Sequence, residues 1–170
     1  MSRVTLSIED LCELALKLGA DQAKVIKAED VEVAEWVRLK CQYGCSGYGK
    51  RLTCPPYSPT PEQTRRILAH YKYAILVHFK PGSDIHRIMA KLEREAFLAG
   101  YYSAFAMAAG PCTICEKCDL KRCRYPELAR PAMEACGIDV YATARKAGFQ
   151  IHVLRSREET PNYFGLLLVS

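Results

Sequence analysis

Four cysteines fall within twelve residues of this chain. Cys112, Cys115, Cys118 and Cys123 read C-x2-C-x2-C-x4-C, directly after Gly110-Pro111. Three thiols on that spacing can turn inward from one tight loop, and a fourth can close the cage. Such a set suits a cubic iron–sulfur (4Fe-4S) cluster, whose irons take thiolates at separate corners. Zinc prefers two separated C-x2-C-type pairs, and three thiols in seven residues fit it less well. A structural zinc knot stands as the alternative.

The fourth cysteine is ambiguous from spacing alone. Bacterial ferredoxins place theirs after three residues, where it ligates the other cluster of the protein. Cys123 is therefore open to either of two sites. Lys117, Lys121, Arg122 and Arg124 surround the group. Positive charge there stabilises a reduced cluster and raises its potential.

A second group reads Cys41-x3-Cys45-x8-Cys54, with Cys54 followed by Pro55-Pro56-Tyr57. Gly44, Gly47 and Gly49 let the backbone approach a bulky ligand. Three thiols are one short of a closed cage. The missing position is open to Cys123, Cys136, a non-cysteine group or an exogenous molecule. An open iron there would allow Lewis-acid chemistry as well as electron transfer. The spacing is not C-x3-C-x2-C, which sets aside a radical enzyme using adenosylmethionine. A tight loop with partly buried thiols, or a zinc site, is the plainer alternative.

Other reactive residues carry less. Cys12 falls in a helical run and reads as a core thiol, since buried free cysteine packs as a small hydrophobe. Cys136 also reads as core, with a ligand role as the minor alternative. His70, His78, His86 and His152 show no pair at ligand spacing and read as satisfied structural histidines. Glu158 and Glu159 read as solvated. No phosphate-cradling glycine loop sits between a strand and a helix, and no serine–histidine–acid arrangement is present.

These loops need elements to hold them. Ser7 caps a helix through Ile8, Leu11, Leu14, Ala15 and Leu18, ended by Gly19. Short strands are expected at Lys24–Ile26 and Val31–Val37. The segment 41–61 is too rich in Gly, Pro, Tyr and Cys for regular structure. Thr60-Pro61-Glu62-Gln63 starts a helix with a capping box and Pro in the first turn. Tyr73–Phe79 is a continuous apolar run of strand length, the pattern of a sheet covered on both sides. A helix from Ile85 to Phe97 ends at Gly100, and a strand over Tyr101–Ala108 runs into the four-cysteine loop. Helices are then expected at Pro126–Ala135 and Asp139–Ala147. Strands are expected at Ile151–Leu154 and Tyr163–Val169, joined by a polar loop, Arg155–Asn162. The alternation predicts an α/β or α+β fold, with helices packed on a mixed sheet of about four to five strands.

Bulk properties frame the chemistry. The 170 residues form one domain by prior, 1–170, with cysteine-rich loops at 41–57 and 110–125. Nearly half are hydrophobic and a quarter charged, which is ordinary for a soluble globular protein. No apolar run approaches a membrane helix, and the first residues carry acids within their apolar stretch, against a secretory signal. Nine cysteines, seven of them in two local groups, argue against a secreted disulfide scaffold. Clustered thiols in a reducing cytoplasm more often bind metal. The net charge of +5 is read as basic residues beside the metal sites and not as a nucleic-acid surface.

Several segments together resemble a known family. They are Lys40-Cys41 through Cys45, Tyr48-Gly49-Lys50, Cys54-Pro55-Pro56-Tyr57, Gly110-Pro111-Cys112, Cys123-Arg124-Tyr125-Pro126-Glu127, Ala129-Arg130-Pro131, Gly137-Ile138-Asp139 and Tyr163-Phe164-Gly165-Leu166. From about residue 25 to its end the chain resembles the predicted metal-binding proteins of bacteria and archaea, a family of unknown function. The resemblance implies a small cytosolic protein with cysteine-bound metal, iron–sulfur in character, and implies no established reaction. Carried over as ligands are Cys41, Cys45, Cys54, Cys112, Cys115, Cys118 and Cys123. The reading is a redox protein with one or two 4Fe-4S clusters, an electron carrier or redox accessory serving a partner protein. The alternatives are an enzyme with a substrate-accessible cluster and a zinc-stabilised interaction module. The small-molecule substrate is left unassigned.

Overall fold

The computed structural model describes residues 5–170. The first four residues, part of the segment read for a secretory signal, lie outside them. Helix α1 (Ile8–Leu18) starts at Ser7, whose side chain and Asp10 complete a reciprocal capping box, and ends at Gly19 in the left-handed region. Strand β1 (Gln22–Lys27) follows. Helix α2 spans Glu35–Gly44. Helix α3 (Pro61–Leu68) has the capping box of Thr60 and Gln63 that the sequence signals. Strand β2 (Tyr73–Phe79), helix α4 (Ile85–Leu98) and strand β3 (Phe105–Met107) come next. Helix α5 (Val140–Lys146) and strand β4 (Tyr163–Val169) complete the fold. Short 3-10 turns stand at Ala28–Asp30 and Glu134–Cys136.

The four strands form one sheet in the order β1-β2-β4-β3. The α+β class and the strand number are as expected. The sheet is not mixed, however: all three pairings are antiparallel. The reason is long-range. Strands β2 and β3 are joined through α4 and run the same way, as alternation predicts, but β4 inserts between them and pairs with both. Among the described residues, a parallel element survives only as the isolated bridge Ala108–Ala132.

Strand β2 is buried on both faces, and its residues alternate between two cores. Leu76 packs with Leu166, Leu168, Met133 and Ile138 on one side. Ile75, Val77 and Phe79 pack with Leu11, Ala15, Met89 and Leu92 of α1 and α4 on the other. Helix α4 lies so close to β4 that a Cβ at Gly165 would stand 2.8 Å from the Met89 sulfur. Among the described residues, no helix is long and apolar enough to cross a membrane.

Four expected elements differ. Val31–Val37 is not a strand: only Val33 pairs, in a single bridge to Ile138, and helix begins at Glu35. The strand over Tyr101–Ala108 shrinks to Phe105–Met107, where β4 offers partners. Pro126–Ala135 is not a helix, because Pro131 lacks the required N–H and clashes with the preceding turn. Ile151–Leu154 has no strand partner, and the Ile151 carbonyl accepts instead from Arg145 Nε at 3.2 Å.

Candidate metal centre

Helix α2 reaches further than its composition predicts. Its regular turns carry Cys41 and end at Gly44, with Cys45 as the cap. The segment 41–61 therefore starts as helix and becomes irregular only after Cys45. Glu35 through Lys40 are mostly good helix formers, and they propagate the helix into the glycine-rich stretch. Arg38 Nη1 donates to the Pro59 carbonyl at 2.8 Å, which folds the far end of the loop back onto the helix. The Gly49 N–H donates to the Pro55 carbonyl at 2.9 Å and closes the loop on itself.

Cys41, Cys45 and Cys54 line one cavity of about 350 Å³. Cys112, Cys115, Cys118 and Cys123 line a second, narrow cleft of about 20 Å³. The fold thus separates the seven thiols as two groups, and Cys123 stands with the other three of its loop. The loop carrying these four thiols has no helix or strand of its own. Among the described residues, no three His, Cys, Asp or Glu side chains converge at the spacing a single ion requires.

The two sites share walls. Arg51, Leu52 and Thr53 precede Cys54 in sequence, yet they line the cleft of the other group. Gly110 and Pro111 precede Cys112, yet they line the cavity of Cys41, Cys45 and Cys54. Arg51 Nη1 donates to the Cys115 carbonyl at 3.3 Å, and the Leu52 N–H donates to Cys118 Sγ at 3.4 Å. The Gly47 N–H donates to Cys45 Sγ at 3.4 Å. Backbone donors to sulfur are the groups that a cluster's thiolates use.

Burial pushes the Cys41, Cys54 and Cys112 thiols up, and neighbouring thiolates add to the rise. Arg38 opposes it at Cys41. Thr53 and then Arg51 oppose it at Cys54, and the Ile114 N–H and Arg51 oppose it at Cys112. Cys112 is itself one of the charges felt by Cys54, so the two groups are electrostatic neighbours. The Thr53 hydroxyl lies buried beside Cys54 without a partner in hydrogen-bond geometry. Thiols so raised stay protonated at neutral pH until a cation displaces the proton. This donor set fits a thiophilic metal or cluster.

Other cysteines fall where the sequence places them. Cys136 is fully buried in the core, lines neither cavity, and has its thiol pushed up to about 12 by burial. Cys12 packs against the α1–α4 core, and burial pushes it up to about 11. His78 is satisfied, with Nδ1 2.9 Å from Asp21 Oδ2 and Nε2 2.8 Å from Asn162 Oδ1. His86 is not: it is buried, and neither ring nitrogen has a hydrogen-bond partner. His70 and His152 are exposed.

Three residues near the site escape sequence reasoning. Arg51 lies in the glycine-rich loop, remote in sequence from the thiols of the cleft it lines. Glu93 of α4 accepts from Arg130 Nε at 2.7 Å and Nη2 at 2.6 Å, pinning the chain that leaves Cys123. Glu134, on the second 3-10 turn, lines the cavity of Cys41, Cys45 and Cys54. The residue is exposed by surface area, yet the protein packed around its carboxyl displaces enough water to push that group up. Its only signal in the sequence is its place two residues before Cys136.

An α+β scaffold presenting two neighbouring thiol-lined sites defines a cysteine-based metal-binding protein. The chain belongs to the family described as predicted metal-binding protein (DUF2284), whose model matches residues 24–169. No curated protein and no solved structure matches it.

Proposed function

We propose that this chain is a cytoplasmic iron–sulfur protein that holds two 4Fe-4S clusters and exchanges single electrons with a partner protein. The observation that carries the reading is the shared wall: Thr53 faces one cysteine group and Cys54, the next residue, belongs to the other. Clusters at such neighbouring sites supply a short path for one electron at a time. The chain's own groups suit that role. Arg51 and Arg124 line the four-cysteine cleft and offset the charge of a thiolate-bound cluster. The N–H groups of Leu52 and Gly47 point at sulfur. Lys117, Lys121 and Arg122 are exposed beside the cleft and provide a basic surface for an acidic redox partner. The spread of the thiols around cavity walls favours a cube with separate corners over one zinc ion, which draws its thiolates to about 2.3 Å.

A second reading has its own observation. The cavity of about 350 Å³ at Cys41, Cys45 and Cys54 has room for a small molecule, which favours an enzyme with a substrate-accessible cluster at that group. The first experiment is a metal and acid-labile sulfide count on protein purified without oxygen, with spectra before and after dithionite. About eight iron and eight sulfide per chain, bleaching on reduction, is the expected result. Zinc without sulfide would replace both readings with a structural metal protein.

A further inference from the structure

We propose that the Glu134 carboxylate is the fourth protein ligand of the metal group held by Cys41, Cys45 and Cys54, an inference that rests on reading those thiols as ligands. Three thiols leave one corner of a cage unfilled. No further cysteine lines this cavity: Cys123 stands in the other cleft and Cys136 is buried in the core. Nor does any histidine, lysine or arginine line it, and Glu134 is the single acid on its wall. Of the other polar groups there, Asn162 is engaged by His78 at 2.8 Å. The phenols of Tyr48, Tyr141 and Tyr163 complete the cavity's polar side chains.

The Glu134 side chain does nothing else for the fold. Among the described residues its carboxylate has no ion pair, and no neighbouring side chain donates to it. The residue is exposed on the cavity wall, so its unpartnered carboxylate is free to meet a cation held by the three thiols. Its backbone, in contrast, is fixed from both sides that carry the thiols. The Ser58 N–H donates to the Cys54 carbonyl at 3.2 Å, and the buried Ser58 hydroxyl donates to the Ala135 carbonyl at 2.6 Å. Thr64 Oγ1 donates to the Cys136 carbonyl at 2.6 Å. On the other side, the Ala34 N–H at the head of α2 donates to the Gly137 carbonyl at 2.9 Å. The turn is therefore clipped both to the Cys54 loop and to the helix bearing Cys41 and Cys45. A carboxylate oxygen is a harder donor than thiolate, and a metal corner held by it is the one that a small molecule in the cavity displaces first.

The test compares wild type with C41A, E134A and E134C, each full-length chain reconstituted anaerobically with iron and sulfide. Iron content and electron paramagnetic resonance are read, with circular dichroism as the check on folding. The expected result for E134A is about one iron fewer per chain and the signal of an oxidised three-iron cluster, with E134C regaining the iron and losing that signal. If C41A loses the cluster while E134A matches wild type, the assignment of Glu134 is overturned and the thiol reading stands. If C41A also matches wild type, the thiol reading itself is overturned. If the protein takes up only zinc and no sulfide, no cube with an unfilled corner forms and the assignment of Glu134 is overturned.

Discussion

Arg51 reaches the Cys115 carbonyl while its charge partly opposes the rise of both the Cys54 and the Cys112 thiols, so one guanidinium serves both cysteine groups. His86 is a different kind of neighbour. It is buried on α4 against the backbone of residues 109–111, the strip that leads into the four-cysteine loop. Burial lowers its pKa below the usual 6.5, and the carbonyls of Pro111, Ala109 and Gly110, with Asp84, only partly oppose the fall. The folded chain thus keeps His86 neutral where the unfolded chain would protonate it. Its contribution is intact above the unfolded value and is lost as pH falls from there through the folded value. In metal-free protein, where the raised thiols stay protonated throughout, unfolding free energy should drop between pH 7 and pH 5. The slope assigned to this one group is at most about 1.4 kcal/mol per pH unit. His86→Phe should flatten the slope by that share in urea titrations across this range. An unchanged slope would remove His86 from the account.

Helix α4 and the segment that follows Cys123 are joined by the Glu93–Arg130 pair, both side chains largely buried at 15% and 12% exposure. Glu93 also accepts from the Ala106 N–H at 2.7 Å, so one carboxylate ties a helix, a strand and the exit of a cysteine loop. Glu93→Gln leaves the guanidinium without a counter-charge and should cost roughly 3–5 kcal/mol in denaturant unfolding. Replacing both partners by leucine should recover part of that loss, because no charge is then stranded. Elements set by local chemistry are legible in the sequence. The capping boxes at Ser7 and Thr60 and the apolar run Tyr73–Phe79 all fall where residue order puts them. Elements that depend on distant partners are not. Val33 meets Ile138, and β4 enters between β2 and β3 from the far end of the chain, so neither outcome is written in a local window. The site divides the same way. The cysteines are visible by spacing, whereas Arg51, Glu93 and Glu134 matter through neighbours that only folding supplies.

Across the whole molecule, both hydrophobic cores lie on the sheet, and none of the seven grouped cysteines belongs to either. Removing metal should therefore leave the sheet and its helices standing. The metal-free chain is expected to keep its far-UV circular dichroism, while amides in 45–57 and 110–125 exchange faster with solvent. Loading then adds stability by mass action, about 2.7 kcal/mol at free metal 100-fold above its dissociation constant. Loss of the sheet signal on metal removal would show instead that the loops carry the fold. The interleaved walls have a further consequence. Each cavity borrows lining from the stretch of chain that carries the other's cysteines. A synthetic peptide of either loop alone would hold the thiols and lack the enclosure. Neither loop is a module that can be grafted elsewhere; the smallest portable unit is the pair of loops together with the sheet edge from which the second one springs.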